Sequence, residues 1–265
     1  MTTGVYVYGV AAGDAAVPEG AGALDPRFPL RSLAAEGLRA IVSDVALDEL
    51  GEEAIAAHAE DRSWLEAKVR AHEAVLDRAL GAGVVPFRFG TVVRDDDAVR
   101  QLLHERRNAL RAALRRVDAK REWGVKVLVD DEALTAWTGS RDERAAAFAG
   151  TAATATAGRA YFARKQLDRV VAEESAERAA AWAGEIHERL AAVAAEARTN
   201  PIPRPELSGY ALPIVLNGAY LVGRDGDDAF AEAVAAAEHE YAERGLSCAL
   251  SGPWPPYNFV GEDVE

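Results

Sequence analysis

The chain has 265 residues, 49% of them hydrophobic, and 43 acidic against 30 basic side chains give a formal net charge of −13. That length can bury a sizeable core and is most naturally split into two domains. The acidic balance argues against nucleic acid as a partner, because phosphate binding depends on a basic surface. No apolar run approaches the roughly 18 to 20 residues that span a bilayer, so no membrane partner is expected either. The opening MTTGVYVYGV lacks a basic n-region and a signal-type h-region, and the single Cys248 cannot close an internal disulfide. A reducing cytoplasm is the simplest compartment.

In chain order, Val5 to Val10 alternates branched and aromatic residues as a strand does. Gly13, Pro18, Gly20 and Gly22 mark residues 11 to 29 as mostly loop, and Pro26 to Leu33 with Leu38 to Val45 form a strand pair around a Glu36-Gly37 turn. Helical periodicity begins near Glu52. Trp64, Leu65, Val69, His72, Val75, Leu76 and Leu80 recur three or four apart until Gly81 and Gly83 stop the helix. Val84 to Val93 reads as one strand despite Pro86. Asp95, Asp96 and Asp97 stand where a helix N-terminus favours carboxylates, with Leu102, Leu103, Leu110, Leu114 and Val117 as the apolar stripe behind them. On the same stretch Arg107, Arg111 and Arg115 share one face at i, i+4, i+8. That face is open to three readings: solvated or paired within the protein, an acidic partner's contact, or RNA.

A second half begins near Glu122, where WGVKVLVD reads as a strand. A long helix is expected from about Gly158 to Arg198, with Trp182, Ile186, Leu190, Val193 and Ala197 as a narrow apolar seam. Pro201, Pro203 and Pro205 end it. An extended piece, a strand from Leu212 to Val222, a helix from Asp227 to Arg244 and a strand from Leu246 to Ser251 complete the order β-α-β-β-α-β of a ferredoxin-like domain. The expected fold is α+β in two domains: 1–120 as an α+β N-terminal domain, and 121–265 as a modified ferredoxin-like C-terminal domain with a long helix and a Pro/aromatic tail.

The tail itself, Ser251-Gly252-Pro253-Trp254-Pro255-Pro256-Tyr257-Asn258-Phe259-Val260, is the least probable stretch by composition. Three uses are open: an extended arm packed on its own domain, a docking arm for a partner, or a ligand for a polyproline-reading module. The packed arm would lay Trp254 and Phe259 on the C-terminal domain; of the two, Trp254 is favoured for packing there and Phe259, nearer the free end, for contact. Phe87-Arg88-Phe89 poses a similar choice. In an alternating strand the two rings share one face; they are either core with Arg88 paired locally, or part of a groove anchored by Arg88. The candidate partner-binding residues are thus Phe87, Arg88, Phe89, Trp254, Tyr257 and Phe259.

No catalytic constellation stands out. His58, His72, His104, His187 and His239 are scattered on helices without the i, i+4 pairing of a zinc helix, and His72-Glu73 and His187-Glu188 read as surface or core-edge pairs. Cys248 reads as a small buried hydrophobe in a strand. Neither a phosphate-binding glycine loop nor a nucleophile elbow is present. No enzyme activity, metal or cofactor is expected.

The ending LSGPWPPYNFV resembles the close of the gas vesicle synthesis proteins of the F and L type, accessory proteins of gas-filled protein organelles that confer buoyancy. AHEAVLDRAL followed by VVPFRFGTVV, then WGVKVLVD, GRAYFARKQLD and IVLNGAYLV, agree in the same order, whereas the first 60 residues match only through VYVYGV. The resemblance implies the same two-part layout and a non-enzymatic accessory or minor structural protein, in the cytoplasm and at the gas vesicle. Its implied partners are the small hydrophobic shell protein and other gas vesicle accessory proteins. A cytoplasmic ligand-binding or regulatory module is the alternative, since ferredoxin-like folds host many functions.

Overall fold

The computed structural model describes residues 2–58, 60–141, 157–261 and 264. Its contacts divide the chain into two units, one of Met1–Glu122 with Pro253–Glu265 and one of Trp123–Gly252.

The first unit is built on strands β1 (Thr3–Ala12), β2 (Arg31–Ala35) and β3 (Leu38–Ala46), with the short β4 (Val85–Pro86) and β5 (Val92–Val93). The sheet runs β2-β3-β1-β4, and β5 also pairs with β1. All its pairings are antiparallel. Because β1 is central, eight consecutive residues from Gly4 to Ala11 are buried. The strand bulges between Val7 and Gly9. A side chain at Gly9 would put Cβ 2.7 Å from the Val85 carbonyl oxygen, so glycine there lets β4 close on β1. The β2–β3 hairpin turns at Glu36 and Gly37, with φ of 56° and 68°. The left-handed conformation is costly for Glu36. Its carboxylate is held by Arg107 at 2.9 Å and His104 at 2.8 Å, and Arg111 donates to its carbonyl oxygen. Two of the three arginines on the basic face are therefore occupied within the protein.

Helices α1 (Leu47–Leu50), α2 (Glu52–Ala57) and α3 (Arg62–Ala79) follow β3. Asp61 caps α3 by accepting from Trp64 N, and α3 buries His72, Val75, Leu76 and Ala79 against Tyr6, Tyr8, Ile41 and Val45. The single strand expected over 84–93 is instead two short pieces. Pro86 has no N–H to continue a ladder, and Gly90, at φ 91°, turns the chain before β5. The basic stretch is likewise two helices, α4 (Asp96–Glu105), capped by Asp95, and α5 (Arg107–Val117), with the break at Arg106.

The second unit carries β6 (Lys120–Val129), α6 (Asp131–Gly139), α7 (Ala157–Val193), β7 (Glu196–Thr199), α8 (Pro205–Ser208), β8 (Ile214–Gly223), α9 (Asp227–Tyr241) and β9 (Leu246–Trp254). Strand order β7-β8-β6-β9 is that of the ferredoxin-like layout. Val125, Val127 and Val129 of β6 meet Trp182, Ile186 and Leu190 of α7, Tyr220 of β8 and Phe230 and Val234 of α9 in one core. Helix α6 was not foreseen; its signal is Asp130, which accepts from Glu132 N and Ala133 N. The long helix stops five residues early, leaving Val193 exposed and Ala197 in β7. Strand β9 runs through Pro253, which an edge position tolerates because no neighbour needs its missing N–H.

The expected division at 120/121 put the tail with the second half; residues 253–265 belong instead to the first unit. After Trp254 the chain leaves β9 through Pro255 and Pro256 and forms a 3-10 turn, Tyr257–Phe259, whose residues find their partners on the first unit.

Candidate functional site

The tail is held by a chain of hydrogen bonds with one consistent direction. Gly90 N donates to the Tyr6 hydroxyl at 2.9 Å, and Tyr257 donates its proton to Glu73 Oε1 at 2.9 Å. Between them His72 places Nδ1 2.9 Å from the Tyr6 oxygen and Nε2 2.9 Å from the Tyr257 oxygen. With the Tyr257 proton committed to Glu73, Nε2–H must donate to Tyr257, and Nδ1 accepts from Tyr6. The neutral Nε2–H imidazole is the form that satisfies every member. Beside this chain, Tyr8 stacks on the His72 ring, bonds Ser43 Oγ at 2.9 Å and accepts from Leu24 N at 2.8 Å.

His72 is 0% exposed, which corrects the expectation of a surface or core-edge residue. Its place in the apolar stripe of α3 was the signal. Burial pushes its pKa down to about 4, with the Phe87 carbonyl opposing. Burial also raises Glu73, against the hydrogen bond from Tyr257, and raises Tyr6 and Tyr257. Between pH 4 and the ordinary histidine value near 6.5, the unfolded chain takes up a proton that folded His72 refuses. The neutral imidazole's full contribution is therefore present above about 6.5 and is lost as pH falls toward 4. At pH 5 the loss is about 2 kcal/mol. Glu73 has the opposite sign, favouring the fold at low pH and less so as pH rises. Unfolding curves of the wild type and His72→Gln at pH 7 and pH 5 check this: the variant is expected to lose most of the slope, and equal slopes would contradict it.

Asn258 completes the anchorage, donating its backbone N–H to Glu122 Oε2 at 2.9 Å and its side-chain amide to Glu122 Oε1. Arg106 donates to the Val264 carbonyl at 2.8 Å. Phe259 is 0% exposed and Trp254 is 42% exposed, the reverse of the expected order. Trp254 and Tyr257 wall an open hollow of about 570 Å³ with Val69, Glu73, Asp77, Glu122 and Asn258. A second concavity, about 690 Å³, is lined chiefly by Leu47, Ile55, Ala56, Phe89, Val92 and Val93.

Of the six candidate contact residues, Phe87 and Phe259 are buried and their rings are core. Phe87 and Phe89 share no continuous strand. Phe89 is half-buried at the second concavity and lies 6.0 Å from the His72 ring, edge-on. Arg88 is exposed on the turn, where its carbonyl accepts from Thr91 N at 3.2 Å. Thus Phe89 and Tyr257 come together around His72, while Trp254 and Arg88 present surface. The Tyr6, His72 and Glu73 members were not foreseen as a site.

Among the described residues no group of three or more His, Cys, Asp or Glu could hold a metal ion. No helix among them is long and apolar enough to cross a membrane. Cys248 is half-buried against the second core, and burial pushes its thiol up to about 11, so it is a poor nucleophile at neutral pH.

The family model for gas vesicle synthesis protein GvpL/GvpF matches residues 4–261. Gas vesicle protein L of Streptomyces sp. strain CB03234 is 37% identical over 98% of this chain and 94% of its own length. Gas vesicle protein F of the same strain is 34% identical, covering 96% and 98%. The crystal structure of GvpF from Anabaena sp. PCC7120 superposes with a TM-score of 0.70 at 21% identity, covering 98% of this chain and 97% of that one, which shows a shared fold. A family match running almost from end to end, with two relatives above 30% identity over nearly the whole chain, leads to one conclusion: the chain belongs to the GvpL/GvpF family of gas vesicle synthesis proteins.

Proposed function

We propose that this chain is a non-enzymatic accessory or minor structural protein of gas vesicle assembly that binds the hydrophobic shell protein or other accessory proteins during nucleation and growth. The observation that carries the role in assembly is the family match over residues 4–261. Two features support the finer reading. The buried Tyr6, His72 and Tyr257 are bonded in series to one another and to Glu73, and this series holds the tail in place. The concavity bordered by Phe89, Val92, Val93, Ile55 and Leu47 offers apolar surface beside a short strand, which suits covering the apolar surface of a subunit before it joins a wall. The working place would be the cytoplasm and the growing vesicle.

The test is co-purification with the shell protein, together with complementation of a gas vesicle deletion strain. Ile55→Asp, which puts a charge on the half-buried wall of the concavity, is expected to cut recovered shell protein at least about tenfold, as a lost hot spot of about 1.4 kcal/mol or more would. Full recovery and normal vesicles with this variant would remove the concavity from the reading.

A further inference from the structure

We propose that the first turns of α7 are a self-association arm that docks onto the acidic hollow of a second copy of this chain. Among the described side chains, Val171 is the first buried one of α7. About 20 Å of helix before it, at 1.5 Å per residue, therefore carries no buried side chain. Ala160, Ala163, Leu167 and Val170 give it a half-buried stripe at helical spacing, and the side chains between them are exposed. On it, Tyr161 is 64% and Phe162 73% exposed, and the two rings hold each other edge-on at 5.8 Å. Arg164 and Lys165 stand three and four residues past Tyr161, on its face of the helix, and Arg159 stands three before Phe162. With Arg169, four cations face the single Asp168, and of the four only Arg169 pairs with a carboxylate among the described residues, Glu173 at 2.8 Å. Exposed aromatics among arginines are the composition of a protein-binding hot spot.

The occupant follows from charge. A basic, aromatic knob in a chain of net charge −13 has its complement on the same molecule. The hollow walled by Trp254 and Tyr257 carries Glu73, Asp77 and Glu122 against one cation, Arg70, which pairs with Glu66 at 3.4 Å. Asp77 is exposed there, so a guanidinium or ammonium entering from another copy would meet its carboxylate, and the neighbouring indole gives a cation a surface to rest on. Repulsion between two acidic chains is screened beyond about 8 Å at physiological ionic strength, whereas the knob and hollow meet at contact distance. An anionic membrane or a nucleic acid would meet the same cations, but on a chain whose net charge of −13 repels both.

Such a contact joins the knob of one copy to the hollow of another and so links copies through two different surfaces. It needs no gas vesicle partner, and its failure would leave the shell-binding reading standing. Sedimentation equilibrium near physiological ionic strength is the test. The wild type is expected to show an average mass above that of one chain that rises with concentration. Arg164→Glu/Lys165→Glu, which reverses the knob, and Asp77→Lys, which reverses the hollow, are each expected to be monomeric. Mixed in equal amounts they should form a dimer and stop there, since one supplies an intact hollow and the other an intact knob. If Asp77→Lys loses its circular dichroism spectrum, Trp254→Ala replaces it. A wild type that stays monomeric, association that survives both variants, or a mixture that remains monomeric would overturn the proposal.

Discussion

Phe259→Ala is expected to destabilise the first unit by about 3 to 5 kcal/mol, the usual cost of truncating a fully buried ring. The ring is completely buried, and the turn that carries it packs on α5 and is fastened just before it by Tyr257 and Asn258. A cavity left there cannot be refilled without breaking those bonds. Trp254→Ala removes a ring that is 42% exposed and should cost less than half as much. Deleting residues 253–265 is expected to weaken the first unit more than either substitution and to leave Trp123–Gly252 unaffected. Separate expression of 123–252 is expected to give a folded product, because the ferredoxin-like sheet, but for the outer ends of β6 and β9, and its helices lie within it. Chemical unfolding followed at two probes, one in each unit, separates the outcomes. Equal losses in both units after tail deletion would mean that the two do not unfold independently.

The second large effect lies in α7. Leu190→Ala is expected to cost about 2 to 5 kcal/mol, since Leu190 is fully buried in the core shared with Ile186, Tyr220 and Val234. Val193→Ala, one turn further on, should change stability by less than about 0.5 kcal/mol because Val193 faces solvent. Thermal unfolding of the two variants checks both figures. A cost below about 0.5 kcal/mol for Leu190→Ala would mean that α7 does not rest on its own sheet.

The contrast between Leu190 and Val193 also shows how far periodicity reaches. Spacing alone placed both in one seam, and it identified Trp182, Ile186 and Leu190 correctly because a helix repeats its face every three or four residues. It could not say where the helix would yield to β7, since the pairing of Glu196 with Leu221 depends on a strand that comes later in the chain. Asp61, Asp95 and Asp130 are all helix caps, yet in the sequence only the Asp95 to Asp97 cluster reads as a helix start. The same limit explains the strand expected over 84–93. Its apolar residues satisfy the strand pattern, but Pro86 cannot donate and Gly90 turns the chain back toward the Tyr6 hydroxyl.

What the sequence determined by itself was the α+β class, the β-α-β-β-α-β order of the second half, the core faces of the long helices and the family resemblance, all of which are local or ordered properties of the chain. Only the tertiary structure decided that the tail closes the first unit, that Phe259 and not Trp254 is the buried ring, and that Tyr6, His72, Glu73, Gly90 and Tyr257 form one chain of hydrogen bonds. The physical reason is separation along the chain: His72 and Tyr257 are 185 residues apart. A polar group within an apolar stripe signals that a partner must exist, because burial without one is costly, but which residue fills that role is fixed by packing alone.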